Sequence, residues 1–187
     1  QNADLYAENA SMYTDEQGLD LPLARMQEKA VLFTRGFTAM DDVIGDGGQI
    51  RSFEWVFSPK GEDGKPMYMF NRETGAINPE VAKHWEKYDI RKILEDNWET
   101  LSPKLSGKIN IMMGSLDTFY LENAVIALRD FFNEKGFDAN IEIIDGGNHG
   151  TVFRGSTVKK MDEWYANRLQ LTNHQVPLQG PALPVQP

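Results

Sequence analysis

Residues 108–150 read KINIMMGSLDTFYLENAVIALRDFFNEKGFDANIEIIDGGNHG, and the fold is decided there. Lys108 to Gly114 is short, apolar and bounded by glycines, which predicts a buried, parallel strand. Leu121, Ala124, Val125, Leu128, Phe131 and Phe132 recur at helical spacing and form one stripe, predicting a helix from Leu121 to Lys135. Gly136 ends it. Ala139 to Ile144 reads as a second strand, and Asp145 to Asn148 as a loop. Ser156 is suited to cap a last helix with Val158, Met161, Trp164 or Tyr165, and Leu169 on its buried face. Strand, helix, strand, helix with short loops is the pattern of an α/β sheet with parallel strands.

Outward from this segment, the chain divides into four zones. Residues 1–23 are polar and irregular, an exposed segment prone to proteolysis. Residues 24–100 are mixed and rich in turns, and residues 101–170 carry the clean periodicity. Residues 171–187 hold Pro177, Pro181, Pro184 and Pro187 without a charge, an extended tail with no core. Within the second zone, Phe53 to Phe57 reads as a strand ending at Ser58-Pro59, Lys60 to Pro66 as a turn, and Met67 to Phe70 as the returning strand. Asn78 caps a helix with Pro79 at its first position. Asp89 caps another running to about Glu99. Two strands alone do not make a stable sheet, so this zone is expected to pack on the α/β part as a cap-like insertion. Trp85, Trp98 and Trp164 have core spacing, which leaves Trp55 as the tryptophan open to a substrate.

Composition removes several classes of function. Of 187 residues, 41% are hydrophobic and 11% aromatic, enough for a core and against wholesale disorder. No run approaches the ~20 apolar residues of a membrane helix. The net charge is −9, and the Lys and Arg residues are scattered, which argues against nucleic acid as a partner. Cysteine is absent, so disulfides, thiolate nucleophiles and cysteine-bound zinc are excluded. His84, His149 and His174 show no metal-ligand spacing. Asp41, Asp42 and Asp46 lack the calcium-loop pattern and read as a solvated loop, and Gly45 to Gly48 lacks a nucleotide-loop context. The chain starts at Gln1 without Met, so an upstream leader, tag or larger part is expected to have been removed.

Gly114-Ser115-Leu116-Asp117 puts an acid just past one strand, and Gly146-Gly147-Asn148-His149-Gly150 puts a histidine just past the next. Sites in open α/β sheets form at the carboxyl ends of strands. A carboxylate there can accept the imidazole N–H, set its tautomer and stabilise the imidazolium. As separate residues, Asp117 also suits a helix cap and His149 a tight turn.

Gly48 through Glu54, SPKGEDGKP at 58–66, residues 71–98 and GSLDTFYLENAV at 114–125 resemble a group of α/β-hydrolase esterases, over about residues 40–153. The resemblance implies a partial α/β-hydrolase fold, its C-terminal strands and helices, with Asp117 as triad acid and His149 as triad base. It implies no metal or organic cofactor. Tyr120 and Asn123 lie in the same motif; Tyr120 and Trp55 are the candidate substrate-binding residues. Serines stand at 11, 52, 58, 102, 106, 115 and 156, and none has glycines two residues to either side. The G-x-S-x-G elbow of the nucleophile is therefore missing.

The expectation is the C-terminal part of a serine esterase, inactive alone, whose serine comes from an N-terminal half or a second chain. Its substrate would be a small carboxylic ester. The family likeness and the missing Met suggest a secreted or periplasmic protein. An open sheet edge predicts self-association of the isolated chain as a homo-oligomer. The competing expectation is a non-catalytic, hydrolase-derived module that binds a ligand or a protein in the old cleft.

Overall fold

Pro22–Met26 (β1) and Lys29–Phe33 (β2) form an antiparallel hairpin closed by Gln27 and Glu28. This hairpin opens the regular part of a computed structural model that describes residues 4–168. Helix α1 (Thr34–Ile44) follows β2 without a loop, and a 3-10 turn over Gly45–Gly47 leads into α2 (Gln49–Phe57).

Helix α2 replaces the strand expected at Phe53 to Phe57. Its buried residues are Arg51 and Glu54, while Phe53, Trp55 and Val56 are exposed. The helix is thus turned inward on its charged residues, and a reading that assigns apolar residues to the interior cannot find its period. Glu54 is fully buried because its carboxylate is fully used. Oε1 accepts the Met69 N–H at 2.7 Å, and Oε2 accepts from Arg51 at 2.7 Å and Arg72 at 2.8 Å. Met67 to Phe70 consequently forms no strand: Met69 bonds a side chain, and only a single bridge joins Phe70 to Ile77. The turn at 60–66 does form, with a bridge from Lys60 to Pro66.

The acidic stretch at 41–46 is not simply a solvated loop. Asp41 is buried, and its carboxylate accepts the N–H groups of Gln49 (2.7 Å) and Ile50 (3.0 Å), capping α2 from eight residues upstream. A Cβ at Gly48 would stand 2.5 Å from Asp41 Oδ2, so the cap needs a glycine there.

Helix α3 (Pro79–Trp85) begins as expected, with the Asn78 side chain accepting from Glu80 and Val81 N–H. Helix α4 (Ile90–Asp96) is capped by Asp89, which accepts from Lys92 N–H. It stops at Asn97, short of Glu99, and α5 (Trp98–Leu105) follows. Strand β3 (Asn110–Gly114), helix α6 (Glu122–Glu134) and strand β4 (Asn140–Ile144) complete a β-α-β unit. The strands pair in parallel, from Asn110 against Asn140 to Gly114 against Ile144. Among the described residues the fold is mixed α/β, with seven α-helices and two two-stranded sheets.

Two apolar cores lie in residues up to Val152. Tyr13, Met69, Phe70, Val81 and Ala82 form one. Tyr13 is 2% exposed, so the expected polar, exposed segment at 1–23 contributes a core anchor, its hydroxyl donating to Arg72 O. Leu94, Phe131 and Phe132 form the other, with Trp98, Leu128 and Ile141 packed round it. Among the described residues, Phe153–Arg168 form a separate compact unit containing α7 (Gly155–Arg168). Ser156 lies inside α7 rather than before it; Val158, expected to be buried, is exposed, and of the alternatives Trp164 and Tyr165 the first is part-buried and the second exposed. Leu169, His174 and the tail at 171–187 lie outside the described residues.

Candidate functional site

Parallel pairing brings the carboxyl ends of β3 and β4 side by side, and backbone bonds extend the pairing into both loops. Ser115 N–H donates to Ile144 O at 2.9 Å, and Leu116 N–H to Gly147 O at 2.8 Å. Ser115 Oγ accepts the Gly146 N–H at 2.8 Å, which ties this serine to the loop. The approach is closest at Gly114, where a Cβ would stand 2.2 Å from Gly147 O. The two loops run together only because neither glycine carries a side chain.

Asp117 and His149 meet where these loops meet. His149 Nδ1 lies 2.8 Å from Asp117 Oδ2. The acid is buried at 1% exposure, whereas the histidine side chain is 43% exposed. The other carboxylate oxygen, Oδ1, accepts from Phe119 N–H at 2.8 Å and Leu121 N–H at 3.3 Å. Asp117 therefore both orders the turn into α6 and engages the imidazole, one oxygen for each. With the carboxylate accepting, Nδ1–H donates, and the lone pair of the neutral ring lies on Nε2. The Phe119 and His149 rings meet in a T-shaped contact, centroids 5.1 Å apart. Asn148 shapes the histidine loop: its Oδ1 accepts from Gly150 N–H, and its N–H donates to Thr151 Oγ1.

Arg25 of β1 holds the acid loop, and nothing in the sequence pattern points to it. Its backbone N–H donates to Thr118 O at 2.8 Å, its Nε–H to Asp117 O at 2.9 Å and its Nη2 to Ser115 O at 3.3 Å. The same guanidinium pairs with Glu122 and stacks on the Tyr120 ring at 4.5 Å. Tyr120, with φ at +60°, lies beneath Arg25. Trp55 stands half-exposed on α2.

Ser58 and Ser52 also have structural partners. Ser58 ends α2 rather than a strand and accepts from Trp85 Nε1 at 3.0 Å; Ser52 Oγ donates to Gly48 O. His84 is half-buried beside Tyr88. Among the described residues no group of three His, Asp or Glu is placed to hold a metal ion, and no helix is long and apolar enough to cross a membrane. No family model, no curated protein and no solved structure matches the chain.

Proposed function

We propose that this chain is the acid-and-base part of a serine esterase of the α/β-hydrolase type. The observation that carries the reading is the 2.8 Å contact between buried Asp117 and part-exposed His149 at the carboxyl ends of adjacent parallel strands. That is the relation of acid to base in a Ser-His-Asp triad. The β3-α6-β4 unit is then the last part of the hydrolase sheet.

In this mechanism the serine Oγ attacks the ester carbonyl while His149 Nε2 takes its proton. The tetrahedral intermediate collapses as His149 returns that proton to the departing alcohol. Water then repeats the sequence on the acyl-enzyme and releases the acid. Asp117 holds the ring in the required tautomer and stabilises the imidazolium. The serine belongs to a second segment or chain, since no G-x-S-x-G occurs in these 187 residues. That same feature favours the second reading, a binding module without the reaction.

The test is fluorophosphonate labelling of the native protein from its source, with its intact mass. One label on a serine outside these residues is expected. A native protein of this chain alone, without a label, would establish the binding module.

A further inference from the structure

Phe119 touches two things. Its ring meets His149 in a T-shaped contact, and the residue also lines a cavity of about 140 Å³. Leu23 and Leu32 of the hairpin, Phe37 of α1, Met69 and Trp85 supply other walls. Its buried polar groups are already engaged. Glu54 accepts from Met69, Arg51 and Arg72; Thr34 Oγ1 donates to Leu21 O; Trp85 Nε1 donates to Ser58. The remaining polar side chain on the wall, Gln49, is exposed. A ligand entering here finds apolar contact and no buried hydrogen-bond partner in need of one, so a charged or strongly polar group would lose its hydration without replacement. The volume is close to the roughly 150 Å³ of an apolar protein cavity that holds one benzene.

We infer that this cavity is a binding site for one neutral apolar group of benzene size, delivered against Phe119 beside His149. The inference rests on the esterase reading only in naming that group as the acyl or alcohol part of the ester. Phe119 then acts as a shared wall: it touches the bound ring on one side and the imidazole on the other.

The test needs no turnover. Fluorobenzene is titrated into the native protein and followed by fluorine NMR, with the His149 ring protons as a second signal. Saturable binding that also shifts the His149 signals is expected. Benzoate, of similar shape but charged, is expected to bind at least tenfold more weakly. Leu32→Trp and Phe37→Trp, each checked by a thermal melt, fill the cavity from two sides and are expected to weaken fluorobenzene tenfold or more. Absence of saturable binding, equal binding of benzoate, or unchanged affinity in both folded tryptophan variants would overturn the site. Should both variants fail to fold, the benzoate comparison on the unaltered protein decides. Failure of fluorophosphonate labelling with fluorobenzene still bound would overturn the esterase reading and leave the cavity assignment standing.

Discussion

Arg25 donates its Nε–H to the backbone carbonyl of Asp117 at 2.9 Å, across 92 positions of sequence. A hairpin near the start of the chain thereby fixes the backbone of the acid that meets His149. The guanidinium is almost enclosed, with 12% of the side chain exposed, and its partner Glu122 only 7%. Arg25→Met is expected to leave Glu122 charged and buried without a counterion, a loss of about 3–5 kcal/mol. Adding Glu122→Leu should recover much of that stability but not the position of the acid loop. Thermal melts of the single and double variants, together with ester turnover of the native protein under the proposed esterase reading, separate the two effects. Turnover restored along with stability would show that Arg25 only stabilises.

Gly114→Ala sets a methyl group against the Gly147 carbonyl, which is backbone and has nowhere to yield. Overpacking of this kind costs about 1–3 kcal/mol. The strand ends must separate, so the Asp117–His149 contact is expected to break. Loss of the His149 Nδ1 proton signal in a still-folded variant is the expected result.

Asp117→Asn tests the tautomer. An asparagine amide N–H facing Nδ1 would place the imidazole proton on Nε2, where it blocks acceptance from serine. Under the esterase reading proposed above, ester turnover of the native protein is expected to fall about 10⁴-fold, with the fold retained. His149→Ala should cost more, about 10⁶-fold, and adding Asp117→Asn to it should lower turnover little further.

Glu54→Gln keeps the volume and removes the charge that two enclosed guanidiniums share. Arg51 and Arg72 have side chains only 4% and 14% exposed. A buried pair broken on one side costs about 3–5 kcal/mol. For a chain of this size that lowers the melting temperature by on the order of 10 °C. Because Glu54 also lines the cavity, fluorobenzene binding should weaken in parallel.

Tyr6 gives the alkaline signature. Burial and the neighbouring Asp89 carboxylate, 3.2 Å from its hydroxyl, push its pKa up to about 12. The folded state therefore holds this proton more tightly than the unfolded state, whose value is near 10. Its stabilising effect is complete below pH 10 and is lost as pH rises towards 12. Tyr6 is 44% exposed, so the effect is small. Ultraviolet titration should show a phenol step near pH 12, and Tyr6→Phe should remove that step. Absence of that step, or its survival in Tyr6→Phe, would contradict the Tyr6–Asp89 contact.

The sequence by itself determined the β3-α6-β4 unit, the caps at Asn78 and Asp89, the turn at 60–66 and the Asp117 and His149 pairing. These signals are local. An apolar run between glycines, a helical stripe and a cap each lie within one element, and acid and base follow strands whose parallel pairing the intervening helix implies. Only the tertiary structure decided α2, the cap from Asp41, the anchor at Tyr13 and the hold of Arg25 on the acid loop. Each depends on partners outside its own element. Glu54 can be buried only because Arg72, 18 positions on, reaches it, and Arg25 works through a carbonyl that carries no side-chain signature. Hydrophobic periodicity marks which face of an element avoids water, but a buried charge held by distant charges leaves no period to read.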